Sequence, residues 1–188
     1  KGLGDYTILG ESQDDAVGEA FDKVGKLLNL PYPGGPHIER IARDGDPKKF
    51  NYPRPMMHSD NLNLSFSGLK TAVLYSIRDL ENLDEHIPDI AASFQRAAID
   101  VLVSKIKKSL TQTNRDTLIL AGGVAANGLL RDEMSKLEDE LNIKVRYPAM
   151  KHCTDNAAMI AYLGSLKTPD MVTQGNSNAR PRWPLNEV

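Results

Sequence analysis

An acidic residue and an amide stand directly before an apolar run near the end of the sequence, in CTDNAAMIA, residues 153–161. The run of small and apolar residues predicts a helix. As a structural feature, Thr154 or Asp155 would cap this helix by accepting a hydrogen bond from one of its first N–H groups. As a functional feature, Asp155 offers one hard oxygen ligand to a cation, although a metal site needs several ligands that converge. Residue types alone leave both interpretations open.

A second candidate is LILAGGVAAN, residues 118–127, in which an apolar strand is predicted to run into Gly122 and Gly123. In α/β proteins a buried strand that ends in glycines and opens a helix is a common ligand-binding device, because glycine lets a ligand approach the backbone. The stretch matches neither the dinucleotide fingerprint nor the phosphate loop, so a tight strand-to-helix turn is the alternative. Asn127 would then be no more than the cap of the following helix.

A third candidate is Asp22, which lies in an amphipathic stretch of predicted helix before the segment PYPGGP, residues 31–36. An acid in this setting is usually solvated and paired with a nearby lysine such as Lys23 or Lys26. Its functional alternative is to accept hydrogen bonds from sugar hydroxyls. The glycine pair in PYPGGP would then supply a flat wall of backbone.

Other catalytic or metal-binding patterns are not found in this sequence. The four histidines are scattered, with no pair at i and i+4: His37, His58, His86 and His152. A single cysteine, Cys153, excludes an internal disulfide and a cysteine-based zinc cluster and suits a reducing compartment.

The elements that position these residues are predicted from the spacing of apolar side chains. Helices are predicted at about residues 16–28, 38–43, 68–80, 89–110, 127–141 and from 157 onward, and strands at 6–9, 63–66, 117–121 and 144–147. Residues 31–36 and 81–88 are predicted to be irregular. The nearly continuous apolar strand TLILA is expected to be buried on both faces. The lysines near the end of the longest helix, Lys105, Lys107 and Lys108, are interpreted as a solvated helix end.

Composition bounds the class of protein. The sequence has 188 residues, 40% hydrophobic and 26% charged, which suits one sizeable core or two small ones. The net charge of -2 provides no global basic field for nucleic acid. No run approaches the roughly 20 apolar residues of a membrane span. Because the sequence lacks an initiator methionine and signal-peptide features, it is expected to be part of a longer protein.

Several motifs follow one another in order along the chain: GESQDDAVGEAFDKVGKLLNLPYPGGP, NYPRPM, LSFSGLKTAV, DIAASFQRAAIDVL, AGGVAAN, CTDNAAMIA and ARPRWPL. In this order they closely resemble the TsaD family of tRNA N6-adenosine threonylcarbamoyltransferases, over essentially the whole chain. The resemblance implies an actin-like, sugar-kinase-like (ASKHA) α/β fold. Residues 1–188 would form mainly its second lobe, with the segment from about residue 150 returning toward the first lobe. The implied reaction transfers the threonylcarbamoyl group from threonylcarbamoyl-AMP to N6 of adenosine 37, in tRNAs that read codons beginning with A.

The resemblance also implies roles for individual residues. Residues expected to lie against the nucleotide-like substrate are Asp22, Gly35, Glu39, Gly122, Gly123 and Asn127. Asp155 matches one ligand of a divalent metal, iron or zinc. The family's other two metal ligands lie in a His-x-x-x-His motif upstream of the first residue of this sequence. The chain alone is therefore expected to be inactive, with Asp155 free of metal.

The implied partners are tRNA, a homologous TsaB-type protein and a small TsaE-type ATPase, without a membrane. The expected location is the cytoplasm of a bacterial-type cell, with an organelle left open. Two alternatives are a noncatalytic scaffold paralogue of the same fold and a sugar or acetate kinase of that fold. The set of cleft residues argues against the scaffold, and the motifs CTDN and PYPGG argue against the kinase.

Overall fold

The computed structural model describes residues 5–166 and residue 183. Within these ranges the chain is an α/β structure of six α-helices and one pair of short parallel strands. In chain order the elements are α1 (Val17–Leu27), α2 (Gly34–Ala42), α3 (Ser67–Arg78), α4 (Leu83–Thr113), β1 (Thr117–Ile119), α5 (Gly128–Leu141), β2 (Lys144–Arg146) and α6 (Ala157–Leu166). The predicted α/β class is confirmed, and α3, α5 and β2 lie within about two residues of their predicted bounds.

Helix α4 is central to this structure because its apolar side chains pack into two separate cores. In its first half, Ile90, Phe94 and Ala97 are fully buried in one cluster with side chains of α1, α2 and α3. The ring of Phe94 meets that of Phe21 edge to face, with centroids 5.0 Å apart. The second core joins the rest of α4 to α5 and the strands through Ile99, Leu110, Leu130, Met134, Leu137 and Val145.

Helix α2 begins inside the segment that was expected to be an irregular loop. The prediction for residues 31–36 is wrong at its end, because α2 starts at Gly34 with Pro33 as its N-cap. Pro36 stands in the first turn, where a residue without an N–H group loses no helical hydrogen bond. The N–H of Gly34 donates to the carboxylate of Asp22 on α1 at 2.8 Å. A residue 12 positions earlier therefore caps the helix, which local patterns do not reveal.

Helix α4 likewise starts earlier than predicted. The polar connector expected at residues 81–88 is wrong, because α4 begins at Leu83. Asp84 and Glu85 occupy its first turn, where negative charge is favourable. Pro88 lies inside the helix and was the misleading signal, since a proline usually marks a boundary.

The first two predicted strands are not strands in the described part of the chain. Residues 6–9 are irregular, and the side chains of Tyr6, Ile8 and Leu9 are exposed. Residues 63–66 form only an isolated bridge, between Leu64 and Ser12. An apolar or alternating pattern becomes a strand only where a neighbouring strand supplies hydrogen bonds, and here the pairing ends after one bridge.

Strand β1 is shorter and more exposed than the sequence predicts. It pairs in parallel with β2, with Leu118 opposite Val145. Leu118 packs against the second core, whereas Ile119, on the opposite face, is 73% exposed. The expected burial on both faces is therefore wrong for the described residues.

The lysines near the end of α4 are not all solvated. Lys105 is only 5% exposed, and its Nζ donates to the hydroxyl of Ser59 at 2.8 Å and to the carbonyl of Asn61 at 2.6 Å. Burial and the neighbouring charge of Lys108 lower the pKa of Lys105. The solvated interpretation is wrong for Lys105, which fastens the segment before α3 onto α4.

Candidate functional site

One cleft brings together every residue to which the resemblance assigned a substrate or metal role. It has a volume of about 630 Å³, within the range of small-molecule sites. Its walls are α1, the start of α2, the turn between β1 and α5, and the residues before α6. The selected residues on these walls are Asp22, Gly35, Glu39, Gly122, Gly123, Asn127 and Asp155. They come from four separate segments, so the chain must fold before they meet.

Asp22 joins the first two walls. Its Oδ1 accepts the N–H of Gly34 at 2.8 Å, as described above. The predicted ion pair with Lys23 is wrong, because Lys23 contacts Asp15 at 2.7 Å and Glu19 at 2.9 Å instead. Among the described residues, none donates a hydrogen bond to Oδ2 of Asp22. This oxygen is available to a hydroxyl in the cleft.

Two adjacent glycines on α2 have different environments. A Cβ on Gly34 would lie 2.7 Å from the carbonyl oxygen of Phe21 and 3.3 Å from the Cα of Gly25. This contact sets the close approach of α1 and α2. A Cβ on Gly35 would meet no atom within 4 Å, because that position faces the cleft. Glycine at position 34 is therefore needed for the close packing of α1 and α2. At position 35 a side chain would extend into the cleft instead.

The turn after β1 forms the third wall. Gly122 has a φ of 90°, in the region that favours glycine, and is followed by a 3₁₀ turn, Gly123–Ala126. Asn127 then caps α5, since its Oδ1 accepts the N–H of Leu130 at 3.0 Å. Its Nδ2 donates to Oε1 of Gln95 on α4 at 2.8 Å, and both side chains are buried. The cap interpretation of Asn127 is confirmed, and the same side chain lines the cleft.

Glu39 connects α2 to α5 across the cleft. Its Oε1 accepts the N–H of Gly128 at 3.1 Å, linking residues 89 positions apart. A Cβ on Gly128 would lie 2.9 Å from that oxygen, so the small residue permits this contact. Glu39 and Asp22 thus each tie two walls together.

Asp155 lies at the exposed rim of the cleft, beside Thr154. Neither caps α6, so that prediction is wrong: Oδ1 of Asn156 accepts the N–H of Met159 at 3.1 Å. Asn156 is better placed because the accepting oxygen lies one residue before the helix starts at Ala157. Asp155 is left free to face the cleft.

The described residues do not form a metal site by themselves. Within residues 5–166 and at 183, no three His, Cys, Asp or Glu side chains cluster in a way that could hold an ion. Asp155 provides one oxygen, and a bound metal needs several ligands. The described residues therefore offer one carboxylate ligand and do not by themselves complete an iron or zinc centre.

Sequence reasoning missed three participants. Tyr32 lines the cleft and is 84% exposed, Thr154 lies beside Asp155, and Gln95 holds Asn127 from α4. The flanking prolines of Tyr32 were a usable signal only for a restricted backbone. Gln95 gave none, because an amide on an apolar helix face shows no sign of its partner 32 residues away.

A sequence profile described as TsaD, tRNA N6-adenosine threonylcarbamoyltransferase, matches residues 1–162. The chain belongs to this family. A protein of Neisseria meningitidis with the name tRNA N6-adenosine threonylcarbamoyltransferase is 46% identical, covering 100% of this chain and 58% of the relative. Proteins of the same name from Chromobacterium violaceum and Thermosipho africanus are 47% and 53% identical. They match 100% and 84% of this chain, and 57% and 48% of their own lengths.

This TsaD-family chain thus spans about half the length of the curated relatives that it matches. In the described part of the chain, no helix has both the length and the apolar character needed to cross a bilayer.

Proposed function

We propose that this chain supplies the nucleotide-facing wall of a tRNA-modifying acyltransferase. The enzyme transfers the threonylcarbamoyl group from threonylcarbamoyl-AMP to N6 of adenosine 37, in tRNAs that read codons beginning with A. The observation that carries this proposal is the convergence of seven selected residues from four segments on one cleft. Membership of the TsaD family supports the class of reaction. We likewise infer the actin-like, sugar-kinase-like fold for the longer protein, with this chain as mainly its second lobe and the segment from about residue 150 returning toward the first.

In the proposed step, the N6 amine of adenosine attacks the carbamoyl carbon of the acyl-adenylate. A C–N bond forms, the bond between that carbon and the phosphate oxygen breaks, AMP leaves, and the amine loses a proton to solvent. The chain's own residues hold the adenylate for this attack. Oδ2 of Asp22 accepts a ribose hydroxyl, while Gly35, Gly122 and Gly123 let the nucleotide lie against backbone.

Asn127 and Glu39 act mainly by keeping these groups in position. Both carboxamide atoms of Asn127 are already engaged within the chain, by Gln95 and Leu130. Oε1 of Glu39 accepts a hydrogen bond from the N–H of Gly128, and its other oxygen contacts the ribose. A site whose groups are held before binding loses less entropy when the ligand arrives.

The partners proposed for the longer protein are tRNA, a TsaB-type protein and a TsaE-type ATPase, and the proposed location is the cytoplasm. A divalent iron or zinc ion would take Asp155 as one ligand, with its other ligands outside the described residues. When bound, such an ion would supply electrophilic assistance at the reacting carbonyl.

Nucleotide binding tests the cleft directly. We expect the chain to bind AMP weakly, and Asp22→Asn to lower that affinity about tenfold or more, because a charged acceptor for ribose is lost. An asparagine keeps one oxygen for the N–H of Gly34, so the fold should be retained. Isothermal titration calorimetry measures the AMP affinity of the wild-type chain and of the Asp22→Asn variant. The control is Asp15→Asn, an acid on the neighbouring turn that does not line the cleft. Equal AMP affinity in wild type and Asp22→Asn would contradict the proposed role of Asp22.

Activity of the chain without further protein is a separate test. We expect no transfer of the threonylcarbamoyl group to tRNA by these 188 residues alone. Tyr32 and Asp155, which line the cleft, are exposed, and one carboxylate at its rim is not a metal centre. Nucleoside chromatography of digested tRNA measures the transfer, with a full-length TsaD-family enzyme as the positive control. Clear turnover by the chain alone would refute the expectation that it is inactive. In the calorimetry experiment, absence of AMP binding would favour the alternative of a noncatalytic scaffold.

A further inference from the structure

Tyr32 is the most exposed large hydrophobic side chain in the described part of the protein, at 84%. It stands between Pro31 and Pro33 in the short connection from α1 to α2. The two prolines restrict the backbone on both sides of the ring. A single exposed aromatic side chain is common on protein surfaces, so the exposure of Tyr32 becomes informative only through the groups that surround it.

The ring also lies where two clefts meet. The first is the cleft described above, and the second has a volume of about 290 Å³ and is called here the side cleft. Residues that line the side cleft are Glu19, Asp22, Lys23, Lys26, Leu30, Pro31, Tyr32 and Gly34. Tyr32 and Asp22 line both clefts, so they form a shared wall.

The side cleft contains a lysine that forms no direct ion pair among the described residues. Lys23 is held by Asp15 and Glu19, whereas Lys26 forms no ion pair among the residues that the structure describes. Tyr32, the carboxylate of Asp22 and the ammonium of Lys26 therefore line the same cleft. Each group suits one part of a nucleotide. A base can stack on the ring of Tyr32, a ribose hydroxyl can donate a hydrogen bond to Asp22, and a phosphate is attracted to the ammonium of Lys26.

We propose that Tyr32 is a stacking platform for a purine ring at the wall shared by the two clefts. This inference rests on the proposed function, which places a purine nucleotide in the first cleft and presents an adenosine of RNA as the acceptor. The purine can come from either source, since both have the same ring and differ in what is attached to it. Stacking buries the exposed face of Tyr32 and positions the base without reading its sequence.

The test compares four variants of the chain with two probes. The probes are AMP and a short RNA hairpin with an adenosine in its loop. The variants are Tyr32→Ala, Tyr32→Phe, Tyr32→Leu and, as the matched control, Tyr75→Ala, at an exposed tyrosine on α3 that lines neither cleft. Affinities are measured by calorimetry for AMP and by fluorescence anisotropy for the labelled hairpin.

We expect Tyr32→Ala and Tyr32→Leu to weaken at least one probe by about tenfold to a hundredfold. Tyr32→Phe should keep the wild-type affinity, because it retains the ring, and Tyr75→Ala should change neither affinity. Loss confined to AMP assigns the platform to the donor nucleotide, and loss confined to the hairpin assigns it to the acceptor. Unchanged affinity for both probes in Tyr32→Ala, or full affinity in Tyr32→Leu, overturns the platform while leaving the nucleotide cleft intact. Failure of the wild-type chain to bind either probe refutes the proposed function and the platform together.

Discussion

Replacing Gly34 by alanine is expected to lower the free energy of unfolding by about 2–3 kcal/mol, whereas the same change at Gly35 should leave it unchanged or raise it slightly. At position 34 the new Cβ would lie 2.7 Å from the carbonyl oxygen of Phe21, which belongs to the backbone of α1 and cannot rotate away. Helices α1 and α2 would have to separate. At position 35 the methyl group meets no protein atom, and alanine favours a helix.

Denaturant unfolding followed by circular dichroism measures both changes, and each variant serves as the control for the other. A second substitution at Gly35 tests its role in binding. Gly35→Val should weaken AMP binding without destabilising the chain comparably, because its side chain would enter the cleft. Equal stabilities for the two alanine variants would mean that the contact between α1 and α2 adjusts easily, contrary to the geometry of Gly34.

The second large effect is expected at Asn127, where alanine should cost about 2–4 kcal/mol of unfolding free energy. Two losses add together. The N–H of Leu130 loses its cap, and the buried Oε1 of Gln95 loses its donor. An unpaired polar atom in the interior costs more than the hydrogen bond itself contributed.

A double-mutant cycle separates these two terms. In an Asn127→Ala background, Gln95→Leu should recover part of the loss, because no buried amide is then left without a partner. In the wild-type background the same Gln95→Leu change should be destabilising. Simple addition of the two single effects would show that the hydrogen bond between these side chains contributes little.

The apolar patterns predicted the helices well where one face meets a core. Helices α3 and α5 and strand β2 could be placed from local spacing because their buried residues recur at regular intervals. The starts of α2 and α4 could not. Asp22 fixes the first through a contact 12 positions away, and Pro88 conceals the second.

Seven residues of the candidate site could be predicted from the sequence, but the contacts that hold them in place could not. The motifs and the resemblance to the TsaD family together selected seven of the residues that line the cleft, and the resemblance assigned their roles. Their partners were hidden because they come from distant parts of the chain: Gln95 for Asn127, and Gly128 for Glu39. A carboxylate or amide reveals in sequence that it can accept a hydrogen bond, but not from which group.

The contact between Glu39 and Gly128 has a consequence for how the cleft can move. It spans residues 89 positions apart and joins the start of α5 to the middle of α2, while Asp22 joins α2 to α1. Three walls are thereby fastened in series, each through the backbone N–H of a glycine. A hinge between these walls would have to break a hydrogen bond to a carboxylate at each step. These three walls are therefore expected to move together, whereas neither hydrogen bond joins them to the fourth wall, the residues before α6.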